Sequence, residues 1–315
     1  MKGGTTADAP ARERDGGARA PRERDPVARA RRRSGLARGV RLALLVAFLV
    51  VFLIPIYVLL VTSFKPLTEA DPSRAWAPPE VWTLEPWRVA WDRLAPGVVN
   101  SVLLAVPGAL ISAALGSMNG YVLSKWRFPG ADVLFTLLLF GMFIPYQGVM
   151  IPLVQLLVRL NEVTASLTGA HGVFYGAIPG LLLAHVVYGI PICTLIFRNY
   201  YVTIPDELIE ASRVDGAGML RTYWSVVLPV SGPAFAVVVI WQFTSLWNDF
   251  LFAVFLTGPQ SWPITVMLNN IAGAQTVPYS QQMAAALLAS FPTMIVYVLL
   301  GRFFMRGLMA GALKG

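Results

Sequence analysis

Residues 210–229 read EASRVDGAGMLRTYWSVVLP. They lie within a polar interruption, about 198–231, set between two apolar segments that each approach the roughly twenty residues a membrane-crossing helix needs. Just upstream, Thr203-Ile204-Pro205-Asp206-Glu207-Leu208 reads as a helix start. Proline suits a first helical turn, and carboxylates there complement the positive end of the helix dipole. Leu208, Ile209, Ser212 and Val214 then mark a short amphipathic helix that Gly216 stops, since glycine reaches left-handed backbone angles without steric cost. A second short helix, Met219 to Val226, is expected to run into Leu228-Pro229 at the entrance of the next apolar segment. The spacing therefore predicts a compact knob of two helices lying along the membrane surface. Its small residues, Ala211, Ser212, Gly216, Ala217 and Gly218, would let a partner approach the backbone closely, and Glu210 and Asp215 offer carboxylates. A surface made for lipid should be rich in Lys and Arg. This loop instead has four carboxylates (Asp206, Glu207, Glu210, Asp215) against Arg213 and Arg221 at its centre, which points to a protein partner.

Composition agrees with a membrane setting. The chain has 315 residues, 56% of them hydrophobic and only 13% charged, with a mean hydropathy of +0.61; soluble domains carry about 25% charged residues. The net charge of +8 would suggest nucleic acid were it spread over a domain. Residues 1–41 hold twelve Lys/Arg and five Asp/Glu, a net of +7, so the basicity belongs to a tail and no nucleic-acid partner is expected. Residues 1–40 contain almost no large apolar side chains and read as a disordered basic tail. Its Arg31-Arg32-Arg33, Arg38 and Arg41 abut the first apolar run, as a topology signal or a contact for anionic lipid headgroups. One cysteine, Cys193, excludes an internal disulfide and any multi-thiolate metal site.

Residues 41–315 read as an all-α, six-helix membrane domain. The expected spans are about 42–63, 102–124, 133–157, 178–197, 234–256 and 283–304. The first is too long, and closes on the wrong residues (Thr62-Ser63-Phe64-Lys65-Pro66), for a cleaved signal peptide. With the N-terminus inside, inside segments hold twenty Lys/Arg and outside loops five, so both termini and the Glu210 loop are expected to be cytoplasmic. Residues 65–99 would be the longest outside loop, with Trp76, Trp82, Trp87 and Trp91 as interface anchors or contacts for an external protein.

Polar groups inside spans are costly and are candidates for a transport path. Asp249 is the only acid within an expected span, and follows Trp241, Gln242, Trp247 and Asn248. Aromatic faces with amide and carboxylate acceptors are the chemistry sugars bind to; bonding to neighbouring helices, or lining a gate, is the plainer role for Asn248 and Asp249. Asn119 and Gln147 are weaker candidates, and His171 and His185 read as packing residues without a second ligand at metal spacing. No nucleophile–base set, paired acids or metal triad occurs in the spans, so an intramembrane enzyme is not expected.

The spacing E-A-x-x-x-x-G from Glu210 to Gly216, then nine residues, an aliphatic, one residue and Leu228-Pro229, resembles the cytoplasmic coupling loop of binding-protein-dependent ABC importer permeases. Further matches are Asn100-Ser101, Phe128-Pro129-Gly130, Trp247-Asn248-Asp249-Phe250 and the C-terminal GRFFMRGLMAGALKG with Gly311 and Lys314-Gly315. Together they resemble the second, six-helix permease of carbohydrate importers of the maltose and oligosaccharide type. Ser212 departs from the family's usual second alanine. The resemblance implies a bacterial-type plasma membrane location and an assembly of this chain, a different permease, two ATP-binding subunits and an extracytoplasmic solute-binding protein. Glu210 through Gly216 would dock in a cleft of the ATPase. No G-x-x-x-x-G-K-[ST] phosphate loop is present, so no cofactor is expected on this chain and ATP would be used by the partners. A non-sugar solute such as a polyamine, phosphate or peptide is the alternative. A secondary transporter would need buried coupling charges, of which only Asp249 qualifies.

Overall fold

The computed structural model describes residues 26–126, 128–274 and 276–312. The chain divides into two units, one up to Pro55 and one from Ile56 onward. Helix α1 (Pro26–Ser63) runs through both. In the first unit the large apolar side chains from Leu42 to Ile54 are exposed, as a lipid-facing helix requires. Residues 1–25 of the expected disordered tail lie outside the described residues, as do Arg127 and Lys314-Gly315. From Pro26 the chain is the start of helix α1: the Ala/Arg/Leu-rich stretch has high helix propensity and continues the turn of the apolar run that follows.

The second unit is built on α2 (Glu85–Lys125), packed along α5 (Ile178–Val202), α9 (Gly232–Trp247) and α12 (Tyr279–Ala312). Between them lie α3 (Ala131–Phe140), α4 (Tyr146–Thr168), α6 (Asp206–Val214), α7 (Met219–Thr222), a π-turn at Tyr223–Val227, α8 (Leu228–Val230), α10 (Leu251–Leu256) and α11 (Ile264–Gly273). Among the described residues five helices are long and apolar enough to cross a membrane, and the bent pair Met219–Val230 and Gly232–Trp247 makes up to six. The protein is thus an all-α, multi-pass membrane protein.

Three expected boundaries shift. The second span begins not at 102 but at Glu85, so the expected outside loop ends in two turns or more of helix. Asn100 and Ser101 therefore lie well inside α2, where they act as a clamp. The Asn100 amide donates to the Gln260 and Trp262 carbonyls at 3.2 and 3.1 Å, and the Ser101 hydroxyl accepts the Ile264 N–H at 2.8 Å. That bond satisfies the first free N–H of α11 from another helix. The expected third span, 133–157, is broken: α3 ends in a short 3-10 turn and α4 starts after Pro145. Pro145 disfavours the helical backbone at Ile144, which is extended at ψ 116°. The expected fifth span, 234–256, is split into α9 and α10 by Asn248-Asp249-Phe250.

Small residues set how closely the helices approach. A Cβ added at Gly116 would lie 2.4 Å from the Cys193 Cβ, and one at Gly120 would lie 2.8 Å from Phe197. Membrane helices associate through such small positions because lipid provides no hydrophobic drive between them. Cys193 is fully buried in that contact, in line with a packing role. Replacing Gly116 with Val should cost about 1–3 kcal/mol by overpacking. A clearly lowered thermal unfolding midpoint in detergent checks this; an unchanged midpoint would show that α2 and α5 are not held at this distance.

Candidate functional site

Two features stand out at opposite ends of α9. The first is the knob formed by the loop 198–231. Asp206 and Glu207 occupy the first turn of α6, after Pro205. The helix ends at Gly216, whose φ of +77° only glycine adopts freely. There the Gly216 N–H bonds the Arg213 carbonyl at 3.0 Å and the Ala217 N–H bonds the Ser212 carbonyl at 2.9 Å, the paired closure of a Schellman motif. The knob is fastened to α2. Lys125 Nζ, its side chain almost fully buried, donates at 2.6 Å both to the Ile204 carbonyl and to Asp206. The Arg213 guanidinium lies 4.4 Å over the Trp126 ring, and the Tyr121 hydroxyl donates to the Met219 carbonyl at 3.2 Å.

Glu210, Ala211, Asp215 and Gly216 are exposed on this knob, whereas Ser212 is buried inside it. The Ser212 hydroxyl lies 2.8 Å from that of Thr222, joining α6 to α7. The Ser212 hydroxyl thus faces into the knob, where Thr222 satisfies it. Leu208 and Val214, read in the sequence as marking the amphipathic helix, are exposed, as are Leu220 and Trp224, which sequence reading did not single out; Val214 is 87% exposed. The second helix also extends further than expected. It continues as the π-turn through Leu228-Pro229 to Val230, so Leu228 and Pro229 form its last turn rather than the entrance of the span.

At Ser231 the helix pair bends by 80°. Four buried hydroxyls meet there. Ser117 Oγ lies 2.5 Å from the Tyr201 hydroxyl and 2.8 Å from that of Tyr223. Ser231 Oγ donates to the Val227 carbonyl at 2.5 Å and lies 3.0 Å from the Tyr201 hydroxyl. The Tyr200 hydroxyl adds a bond to the Val230 carbonyl at 2.7 Å. One polar node thus joins α2, α5, the knob and α9.

The second feature is a cavity of about 330 Å³ at the far end of α9. Tyr146, Tyr188 and Phe252 form an aromatic wall with centroids 5.3–5.7 Å apart. Polar groups come from Gln242, Ser245, His185 and Asp249. Asp249 caps the broken span: its carboxylate accepts the Ala253 N–H at 2.9 Å and the Phe252 N–H at 3.4 Å. Its backbone carbonyl accepts the Thr265 hydroxyl of α11. His185 Nε2 lies 3.2 Å from the carboxylate, but its angle is not that of a hydrogen bond, so this buried nitrogen has no hydrogen-bond partner. Gln242 is seated by Gly189, where an added Cβ would lie 1.9 Å from the amide nitrogen.

Of the path candidates, the cavity gathers Gln242 and Asp249 but not Trp247 or Asn248. Trp247 is buried in the core, stacked on Phe243, and donates to the Ala289 carbonyl at 2.9 Å. Asn248 is exposed and bonds back to the Thr244 carbonyl at 2.9 Å. Asn119 and Gln147 are not among the lining residues. The pairing of His185 with Asp249 was missed, because nothing in sequence links residues on two different spans. Among the described residues no group of three or more His, Cys, Asp or Glu side chains could hold a metal ion.

Residues 112–309 match the model of the binding-protein-dependent transport system inner membrane component family. The chain belongs to that family. It is 37% identical over 287 residues to a xylose/arabinose import permease protein of Haloferax volcanii, covering 87% of this chain and 92% of that one. A glucose import system permease protein of Saccharolobus solfataricus is 30% identical over 83% of this chain and 90% of its own length. Among solved structures, a chain of a bacterial ABC transporter involved in the import of the acidic polysaccharide alginate aligns with a TM-score of 0.68 at 23% identity, over 88% of this chain and 98% of that one. The likeness extends over nearly the whole fold of this inner membrane component.

The Lys125 tether has a direct consequence. In Lys125→Met the start of α6 loses its bonds to α2, and amide hydrogen exchange at Ile209 and Ser212 should rise by about tenfold or more, tenfold being about 1.4 kcal/mol. Equal exchange rates would show that the knob is rigid without this anchor.

Proposed function

We propose that this chain is the permease subunit of an ATP-driven sugar importer, forming half of the translocation pathway and receiving work through residues 203–229. One observation carries the reading: an exposed, internally braced knob is continuous, through a bent helix, with a broken span that bounds a polar cavity. About 15 Å of α9, from Ser231 to Trp241 at 1.5 Å per residue, separates the bend from the nearest cavity lining. Relatives named as importers of xylose/arabinose and of glucose support the sugar. A structural neighbour is an alginate transporter in complex with a periplasmic protein bound to an alginate pentasaccharide, which supports an extracytoplasmic solute-binding partner.

In this reading a second, different permease completes the pathway, and two ATP-binding subunits hydrolyse the nucleotide that this chain has no phosphate loop to bind. The knob faces the cytoplasm, as do both termini, in keeping with the excess of Lys and Arg on that side. Val214, Leu220 and Trp224 supply apolar docking surface. Each would contribute up to about 1.5–3 kcal/mol if fully buried. Glu210 and Asp215 at the rim add register and charge complementarity. Closure of the ATPase pair then moves the knob, and α9 transmits that motion to the cavity, biasing a two-state equilibrium through contacts that differ between the states.

Glu210→Arg and Gly216→Val should each abolish uptake while leaving the protein inserted in the membrane. Transport at the wild-type rate in both would refute the docking role. Val214→Asp should reduce co-purification of the ATPase at least tenfold, and retention at wild-type levels would remove the apolar surface from the interface.

A further inference from the structure

Resting on that reading, we propose that the cavity between α5, α9 and α10 is a subsite for one neutral sugar ring, in which the His185–Asp249 pair reads hydroxyls and discriminates against acidic sugars. Tyr146 and Tyr188 present the apolar ring faces that pack against the C–H face of a pyranose or pentose. Around them stand groups able to meet hydroxyls. His185, a lining residue, has its Nε2 3.2 Å from the Asp249 carboxylate outside hydrogen-bond geometry, so that nitrogen still lacks a hydrogen-bond partner. The Asp249 carboxylate, which has about four acceptor positions, holds two backbone amides and keeps capacity for ligand hydroxyls. At about 330 Å³ the space lies near the lower end of ligand pockets and suits a single ring.

The charge pattern narrows the class. Asp249 is the one carboxylate among the lining residues, and neither Lys nor Arg lines the cavity. A uronate would therefore bring a second negative charge into a low-dielectric space with no fixed cation to receive it, and like charges so placed repel. A polyamine would find the carboxylate. It would also meet tyrosine hydroxyls, an amide and an imidazole, groups that donate as well as accept and so suit a hydroxyl better than an ammonium.

Trp241, on the cavity lining and 55% exposed, supplies the readout. The assembled importer, without its binding protein, is titrated with D-xylose, D-glucose, D-glucuronate and putrescine while indole fluorescence is followed. A matched Trp241→Phe importer is subtracted. The expected result is a saturable signal with a neutral sugar and at least tenfold weaker binding of glucuronate and putrescine. His185→Gln and Tyr146→Ala should each weaken the neutral sugar about tenfold, and Asp249→Asn, which keeps an acceptor for the α10 cap, should narrow the gap to glucuronate. Glucuronate or putrescine binding as tightly as a neutral sugar would overturn the proposal, as would unchanged affinity in both His185→Gln and Tyr146→Ala. An importer that moves sugar when complete yet gives no Trp241 signal would also overturn the subsite and leave the proposed function standing. A complete importer that moves no sugar would instead remove the proposed function.

Discussion

The hydroxyl node of Ser117, Tyr201, Tyr223 and Ser231 is the constraint on which the rest depends. A helix that turns by 80° inside a membrane protein leaves backbone carbonyls without their usual partners. Here Ser231 and Tyr200 meet two of those carbonyls, at Val227 and Val230. Each such bond is worth about 0.5–1.5 kcal/mol net, but a buried hydroxyl left alone costs about 1–3 kcal/mol. The node therefore holds as a set. In the proposed function the node would hold the bend at a fixed angle, so that displacement of the knob is passed to α9.

The opposite end of α9 shows the complementary device. There the helix stops at Trp247 and restarts at Leu251, and Asp249 satisfies the restarted helix while facing the cavity. A broken helix is tolerated at membrane depth where the freed backbone groups are met by protein or line a cavity. The same carboxylate that caps α10 is thus available to a ligand, while the Asp249 backbone carbonyl is tied by Thr265 to α11, whose start is held by Ser101 and the segment before it by Asn100 of α2. The cavity wall is consequently braced by the helix that carries the node.

Much of this was legible in the sequence, for identifiable reasons. Runs of about twenty apolar residues leave no alternative to helices, and the Pro205, Asp206 and Gly216 signals are local, so the first helix of the knob emerged with its start and stop in place. The family motif carried the family itself. What escaped depends on neighbours distant in sequence. The Pro145 break interrupts a hydrophobic run that also holds Pro152, which leaves the helix whole, and α11 is a short apolar helix that hydropathy alone assigns to a loop. The burial of Ser212 follows from Thr222, and the value of His185 follows from Asp249, sixty-four positions away. Trp247 read as a sugar platform because aromatic rings serve both purposes; its indole turned out to be packed in the core.

The central claim is mechanical: the knob and the pathway move as one piece because the buried hydroxyls lock the bend between them. The most direct test is the number of sugar molecules moved per ATP hydrolysed by the complete importer in proteoliposomes, with Ser117→Ala and Tyr201→Phe combined in this chain. The account predicts that assembly and ATP hydrolysis persist while the ratio falls at least fivefold. A ratio equal to that of the unaltered importer would contradict it.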